Sequence, residues 1–521
     1  MTFKKIALAS FCIASSPIAL LAANVKPVIE VWPAMVRLDY NPLIQLDVSS
    51  NSELLQEIHL DFSGTKNFKD IKEITVYVGG DVAKAGKKFA SVKPRPGKLV
   101  LKGSVPLDSE DKIFVSVRLA DKVASLSDKI SLSVSHVKIG KSSIDLSNAK
   151  VTQRIGYTIA KTGDCNSKNY RIPAITQTKK GTLVAVFDIR YGHAGDLPAN
   201  IDIGMSRSTD LGKTWSAVEP IMTSKGMEVT KGVGDPGILY DAQTDEIFVA
   251  GLWAPQSGHP IWSSESGTTS PQKCGQILII SSKNDGKSWS KPVNITESVK
   301  RLDDADTKNW ACLFQGPGEG IQLKDGTLVF PCQVWNHKGQ GGEGASRGVL
   351  VYSKDHGKTW TSSKETPHGG SESTCVELNN GTILFNSRGG AGGRRDGYET
   401  KDLGKTWKST ENLTKGAGVL RQPGGCQAAS LKVGGKIYFS NPDSSSGRRN
   451  MTVKMTSNEG RTWNKGLLYD ARPCAGYSSL CTVDGEHIGV IYEGSPNNQV
   501  LNFLALPYAD IDKVKADKKS K

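Results

Sequence analysis

The eight residues STDLGKTW (Ser208–Trp215) recur as SKNDGKSW (Ser282–Trp289), SKDHGKTW (Ser353–Trp360), TKDLGKTW (Thr400–Trp407) and TSNEGRTW (Thr456–Trp463). Successive starts lie 74, 71, 47 and 56 residues apart. The unit has the chemistry of a hairpin turn. An Asp or Asn side chain at the third position caps backbone amides, and Gly at the fifth tolerates positive φ. The terminal Trp is placed to pack beneath the turn. Asn284 and Asn458 replace Asp but keep an oxygen acceptor. Unrelated polar loops would not put Trp at the eighth position five times.

Between the repeats lie short β-type runs with no helical period, the mark of a propeller. About 360 residues at roughly 60 per blade predicts six blades. Upstream, EITVYVGG, GKLVLKGSV, DKIFVSVRLA and KISLSVSHVKI alternate with period two, which predicts an all-β sandwich. The expected layout is a signal peptide (1–23), an N-terminal sandwich (24–148), a six-bladed propeller (149–510) and a basic tail (511–521).

MTFKKIALASFCIASSPIALLAANVKP places two lysines before an apolar run that ends in small residues, the pattern of a secretory signal cut after Ala22 or Ala23. The expected mature protein is exported, periplasmic or secreted, and not inserted in a membrane. Eight further cysteines are scattered without CxxC or Cys/His clusters, a density below that of disulfide scaffolds. The net charge of +14 is spread along the chain, with no basic stripe interleaved with aromatics, so nucleic acid is not the expected partner. The histidines lack metal spacing. GASRG (Gly344–Gly348) lacks the strand and helix of a serine-hydrolase elbow, and GPGEG (Gly316–Gly320) lacks the spacing and helix of a dinucleotide loop.

A set of charged residues at strand ends remains. NYRIP carries Arg171, FDIRYGHAGD carries Arg190 and Asp196, and GVGDPGILYD carries Asp235. ESTCVELNNGTILFNSR begins at Glu372 and ends at Arg388; SGRRN offers Arg448 or Arg449; CAGYSSL has Tyr477 and GVIYEGS has Glu493. Strand ends of different blades converge on a propeller axis, so these residues form one candidate site.

With its Arg-Ile-Pro, its repeated Asp boxes and the order Arg, Asp, Glu, Arg, Arg, Tyr, the chain resembles bacterial exo-α-sialidases (neuraminidases) over about residues 155–505, and 24–148 resembles the sandwich preceding the propeller in some of them. The resemblance implies hydrolysis of terminal sialic acids from glycoproteins, glycolipids and oligosaccharides, with retention and without metal or cofactor, by a monomer. It implies a carboxylate clamp of Arg171, Arg388 and one of Arg448 and Arg449; alternation lets only one face the axis, and the family pattern of Arg, any residue and a short polar run into the strand selects Arg448. Tyr477 would be the nucleophile, Glu372 its base, Asp196 the acid/base. Glu493 would hold Arg171, Arg190 would reach a sugar hydroxyl, and Asp235 would contact the acylamino side. A tyrosine nucleophile suits a substrate with a carboxylate on its anomeric carbon: a second carboxylate about 4 Å away would be repelled by roughly 4 kcal/mol at an effective dielectric constant of ~20. A trans-sialidase on the same fold, or a sialoglycan-binding propeller without turnover, would share these features.

Overall fold

The runs of alternating and continuous apolar residues become strands throughout. The computed structural model describes residues 23–50, 53–224, 232–255, 260–335, 346–389, 395–410 and 420–515. The expected signal peptide, apart from Ala23, and the last six residues of the tail lie outside the described residues.

Blade one shows the pattern. Its strands Asn169–Gln177, Leu183–Arg190, Ile201–Ser208 and Glu219–Met222 pair in sequence order, all antiparallel. Every residue of Leu183–Arg190 is buried, because neighbouring blades cover both faces of an inner strand; its first five residues, LVAVF, are therefore continuously apolar rather than alternating. Similar sheets follow at 233–294, 312–362, 373–409, 429–470 and 478–507, making a six-bladed propeller with the all-β character that the repeats predict.

The sixth blade is closed by a strand from the other end of the domain. Lys150–Lys161 pairs with Val500–Pro507 through Tyr157↔Phe503 and its neighbours. The first residues of the same strand, Lys150–Arg154, pair with Lys129–Ile139 of the N-terminal sandwich. One sheet therefore runs from the sandwich into the propeller. The opposing sandwich sheet has the order Asn24–Val28, Asn41–Ser49, Lys112–Leu119, Ile71–Gly80, Ala85–Val92. Sandwich strands such as Lys129–Ile139 do alternate in burial, as one-sided strands should. Arg37 fastens the two parts together, donating to Asp164 Oδ1 and Oδ2 at 2.7 and 2.8 Å and to the carbonyls of Thr158 and Ile159.

In each Asp box the third residue receives the backbone N–H four residues on: Thr214 N to Asp210 Oδ1, Ser288 N to Asn284 Oδ1 and their three counterparts, each at 2.9 Å. Trp215, Trp360 and Trp463 close the turn by donating Nε1–H to the carbonyl of the box glycine. That glycine is required. At Gly212 (φ +84°) an added Cβ would lie 2.2 Å from the Phe503 ring. Among the described residues no helix is long and apolar enough to cross a membrane, and no group of three or more His, Cys, Asp or Glu side chains could hold a metal ion.

Candidate active site

Blade one brings Arg171 to the axis through a bulge in its innermost strand, between Arg171 and Ala174. Ile172, within the bulge, has φ +58°, a left-handed conformation that a β-branched residue adopts only under constraint. Glu493 supplies that constraint. Its carboxylate is fully buried and accepts from Ile172 N (3.0 Å), Arg171 Nε (3.0 Å), Arg171 Nη2 (3.3 Å) and Tyr477 N (2.9 Å). Blades one and six thus share one anion, and Arg171 and the Tyr477 backbone are fixed relative to each other.

Glu372 and Arg388, sixteen residues apart in sequence, are brought together by blade four. The register Ser373↔Ser387 continues one step further, where Arg388 N donates to the Glu372 carbonyl at 2.8 Å. Their side chains pair as well, Arg388 Nη1 to Glu372 Oε2 at 2.8 Å. The Tyr477 hydroxyl donates to the other oxygen, Glu372 Oε1, and accepts from Arg388 Nη1 at 3.1 Å. The guanidinium carbons of Arg171 and Arg448 lie 4.9 and 5.4 Å from the centre of the Tyr477 ring. Three arginines from three blades therefore surround one phenol. Arg449 instead pairs with Glu30 of the sandwich at 3.8 Å and is 44% exposed.

Glu372, Arg388 and Tyr477 border a cavity of about 290 Å³ whose polar lining also includes Asp196 and Asp235; Arg171 and Arg448 lie outside that lining, against the Tyr477 ring. Beside Ile172, its apolar lining is formed by Ile261, Trp262, Phe314 and Trp335. Those residues, together with Gln333 and Ser371, were not singled out in the sequence. Phe314 and Trp335, aromatic residues in strands, read first as core, and only the fold shows that they face an opening.

Arg190 is held by internal partners. It is 1% exposed, lies outside the cavity lining, and donates through Nε and Nη2 to Asp188 Oδ2 (3.0 and 2.8 Å) and through Nη1 to Ala194 O and Asp196 Oδ1 (2.6 and 2.8 Å). In this geometry it orients the Asp196 loop. Asp188 lies two residues before it on the same strand face, so the pairing was there to be read from strand alternation. Asp235 has φ +52°, donates its N–H to Asp188 Oδ1 at 2.8 Å and lines the cavity.

The electrostatics separate the acidic groups. Burial, then Glu372, pushes the Tyr477 phenol well above its usual range, against the pull of Arg388, Arg171 and Arg448, so the resting hydroxyl keeps its proton. For Asp196 burial acts upward but is outweighed by Arg190, Arg171 and Arg448, and the carboxyl lies below its ordinary value. Burial and the neighbouring Asp188 and Asp196 raise Asp235. A protonated phenol on a carboxylate, inside a ring of fixed cations, can lose its proton to that carboxylate as it attacks an electrophile.

Residues 172–493 match the BNR repeat-like domain and 22–95 match the N-terminal domain of BNR-repeat neuraminidases. A sialidase of Bacteroides fragilis is 33% identical over 92% of this chain and 94% of its own length. The chain belongs to the sialidase family. A sialidase of Clostridium perfringens is 30% identical over 64% of this chain and 88% of its own. The solved structure of a Hadza microbial sialidase superposes with a TM-score of 0.83 at 29% identity, covering 93% of this chain and 99% of that one. The protein is therefore a glycoside hydrolase, and the cavity at the centre of its propeller is the candidate site of sialidase chemistry.

Proposed function

We propose that the protein is a retaining exo-α-sialidase acting through a covalent intermediate on Tyr477. The observation that carries this reading is the Tyr477–Glu372 hydrogen bond enclosed by Arg171, Arg388 and Arg448. The three guanidinium groups hold the substrate's C1 carboxylate, Arg supplying a bidentate fork that Lys cannot. As the anomeric carbon develops positive charge, the phenol passes its proton to Glu372 Oε1 and its oxygen bonds to that carbon. The bond to the leaving oxygen breaks, and Asp196 protonates that oxygen. Asp196 then takes a proton from water, which attacks the tyrosyl intermediate, and Glu372 returns its proton to the phenolate. Substrate binding supports the acid role: a carboxylate in the clamp offsets the cations that depress Asp196 in the resting site.

Glu493 positions Arg171 and Tyr477, Arg190 positions Asp196, and Asp235 accepts from a polar group on the sugar. The substrates are terminal sialic acids of glycoproteins, glycolipids and oligosaccharides. The protein works as an exported monomer after loss of 1–23, with 24–148 as sandwich, 149–510 as catalytic propeller and 511–521 as tail. NMR of the first-released product tests the reading. The α-anomer of free sialic acid, appearing before mutarotation, is the expected result; β-anomer first would refute retention, and an anhydro or transferred product would refute hydrolysis.

A further inference from the structure

A fourth arginine lies behind the clamp. Arg395 stands just before the strand Asp396–Thr400 and has no solvent exposure. Among the described residues no carboxylate lies within ion-pair distance of it. Its N–H groups go to neutral acceptors: Asn386 Oδ1 and O, Gln422 Oε1 (3.0 Å) and Cys426 O (2.8 Å), while its guanidinium lies 5.5 Å from the centre of the Phe439 ring. Burial lowers it to about 10, so it stays charged at neutral pH. Glu372 and Asp396 act on it only from beyond contact distance; a buried cation with no carboxylate in contact is costly, and an apolar side chain of similar size could fill this space without that cost.

The partners show what the charge accomplishes. Asn386 is two residues before Arg388 in blade four. Gln422 donates to the carbonyl of Gly389, immediately after Arg388, at 3.2 Å. Gly425, next to Cys426, supplies the carbonyl that receives Arg448 Nη2 at 3.2 Å. Cys426 itself packs with Ile172 and Tyr477. One planar group with five N–H donors thus joins the strand end bearing Arg388 to the loop that seats Arg448 and backs the nucleophile.

We infer that Arg395 is a positioning residue that sets the spacing of Arg388 and Arg448, and so tunes the site for a carboxylate; the inference rests on the clamp reading above. Lysine would keep the charge but reach only one of these acceptors well. The test measures inhibition by 2-deoxy-2,3-didehydro-N-acetylneuraminic acid and by its C1 carboxamide, with KM, kcat and thermal midpoint, in wild type, Arg395→Lys and Asn386→Ala. The expected result is a loss of about tenfold or more in carboxylate affinity and a matching rise in KM for Arg395→Lys, with carboxamide binding unchanged. Asn386→Ala should move the same way by less. An intact carboxylate preference in folded Arg395→Lys, or equal weakening of both ligands, overturns the inference; if that variant does not fold, an unchanged preference in Asn386→Ala does so. A wild type indifferent to the carboxylate would instead refute the clamp itself.

Discussion

Arg448 and Arg449 are adjacent in sequence and serve different domains: one lies over the Tyr477 ring, the other reaches Glu30 of the sandwich. The split arises in the loop before the strand Met451–Thr456, where Arg448 sits in a bend between Gly447 (φ +68°) and Asn450 (φ +59°), not from strand alternation. Arg448→Ala should raise KM by about tenfold to a hundredfold, from charged hydrogen bonds of about 1.5–3 kcal/mol, while Arg449→Ala should leave KM within about twofold. Steady-state kinetics on a sialoside decides, and the reverse order would contradict the assignment. Asp196 gives a second check. Because the resting carboxylate is held below its ordinary value, the acid form must be gained with substrate bound. Asp196→Asn should slow natural sialosides far more than an aryl sialoside whose phenolate leaves unaided. In wild type, raising the pH past the acid's pKa in the complex should cost about tenfold per unit for natural sialosides and little for the aryl substrate. Equal losses on both substrates would remove Asp196 from the acid role. Most of the polar site was legible in the sequence because an Arg or Glu at the end of an apolar strand is expensive and needs a reason. Arg190 has its reason within the fold, in Asp188 and Asp196. Arg395 escaped notice because GGAGGRRDGYE reads as a solvated glycine-rich loop.

The Asp box also links blades. Its fourth residue, Leu211, Asp285, His356, Leu403 or Glu459, has φ between 56° and 67° in all five copies. In three copies that residue reaches the preceding blade. Asp285 accepts from Thr178, Thr182 and Arg207 of blade one; His356 pairs with Asp241 of blade two at 2.7 Å; Glu459 accepts from Asn379 N of blade four. The turn was legible from sequence because its bonds are local. The latch was not, because its partners lie 78 to 115 residues away and differ in every copy. The third residue predicts an acid response. Asp355 and Asp402 are lowered to about 2: burial pushes Asp355 up but the Thr359 hydroxyl and amide outweigh it, and Asp402 is lowered chiefly by the Thr406 hydroxyl. Depressed carboxyls stabilise the fold above the unfolded pKa of about 3.9 and lose that contribution as pH falls toward 2. Partial exposure limits it to about 1 kcal/mol each. Asp355→Asn with Asp402→Asn, copying the natural Asn284 and Asn458, should lower Tm modestly at neutral pH and flatten its decline between about pH 4 and 2. A decline as steep as wild type would show that these carboxyls do not carry the effect.

At the scale of the whole molecule, Lys150–Lys161 decides how the chain behaves, because it is both a sandwich strand and the closing strand of the propeller. The sequence separates the two parts by composition, and that separation hides the shared strand: pairing between residues 157 and 503 leaves no local trace. A strand common to both cores couples their unfolding. Calorimetry should give one transition, and Arg37→Ala, which removes two bonds to Asp164 and two to strand carbonyls, should lower it as a unit. Two resolved transitions would contradict the coupling. Ring closure also brings Arg171 from the first blade against Glu493 and Tyr477 from the last, so the fold as a whole converges on one phenol oxygen. The most direct test is covalent trapping with a 3-fluorosialyl fluoride, read by mass spectrometry of the peptide containing CAGYSSL. The expected result is one label on Tyr477, absent in Tyr477→Phe and slower to form in Glu372→Gln; a label on a carboxylate, or wild-type turnover with retention in Tyr477→Phe, would contradict the mechanism.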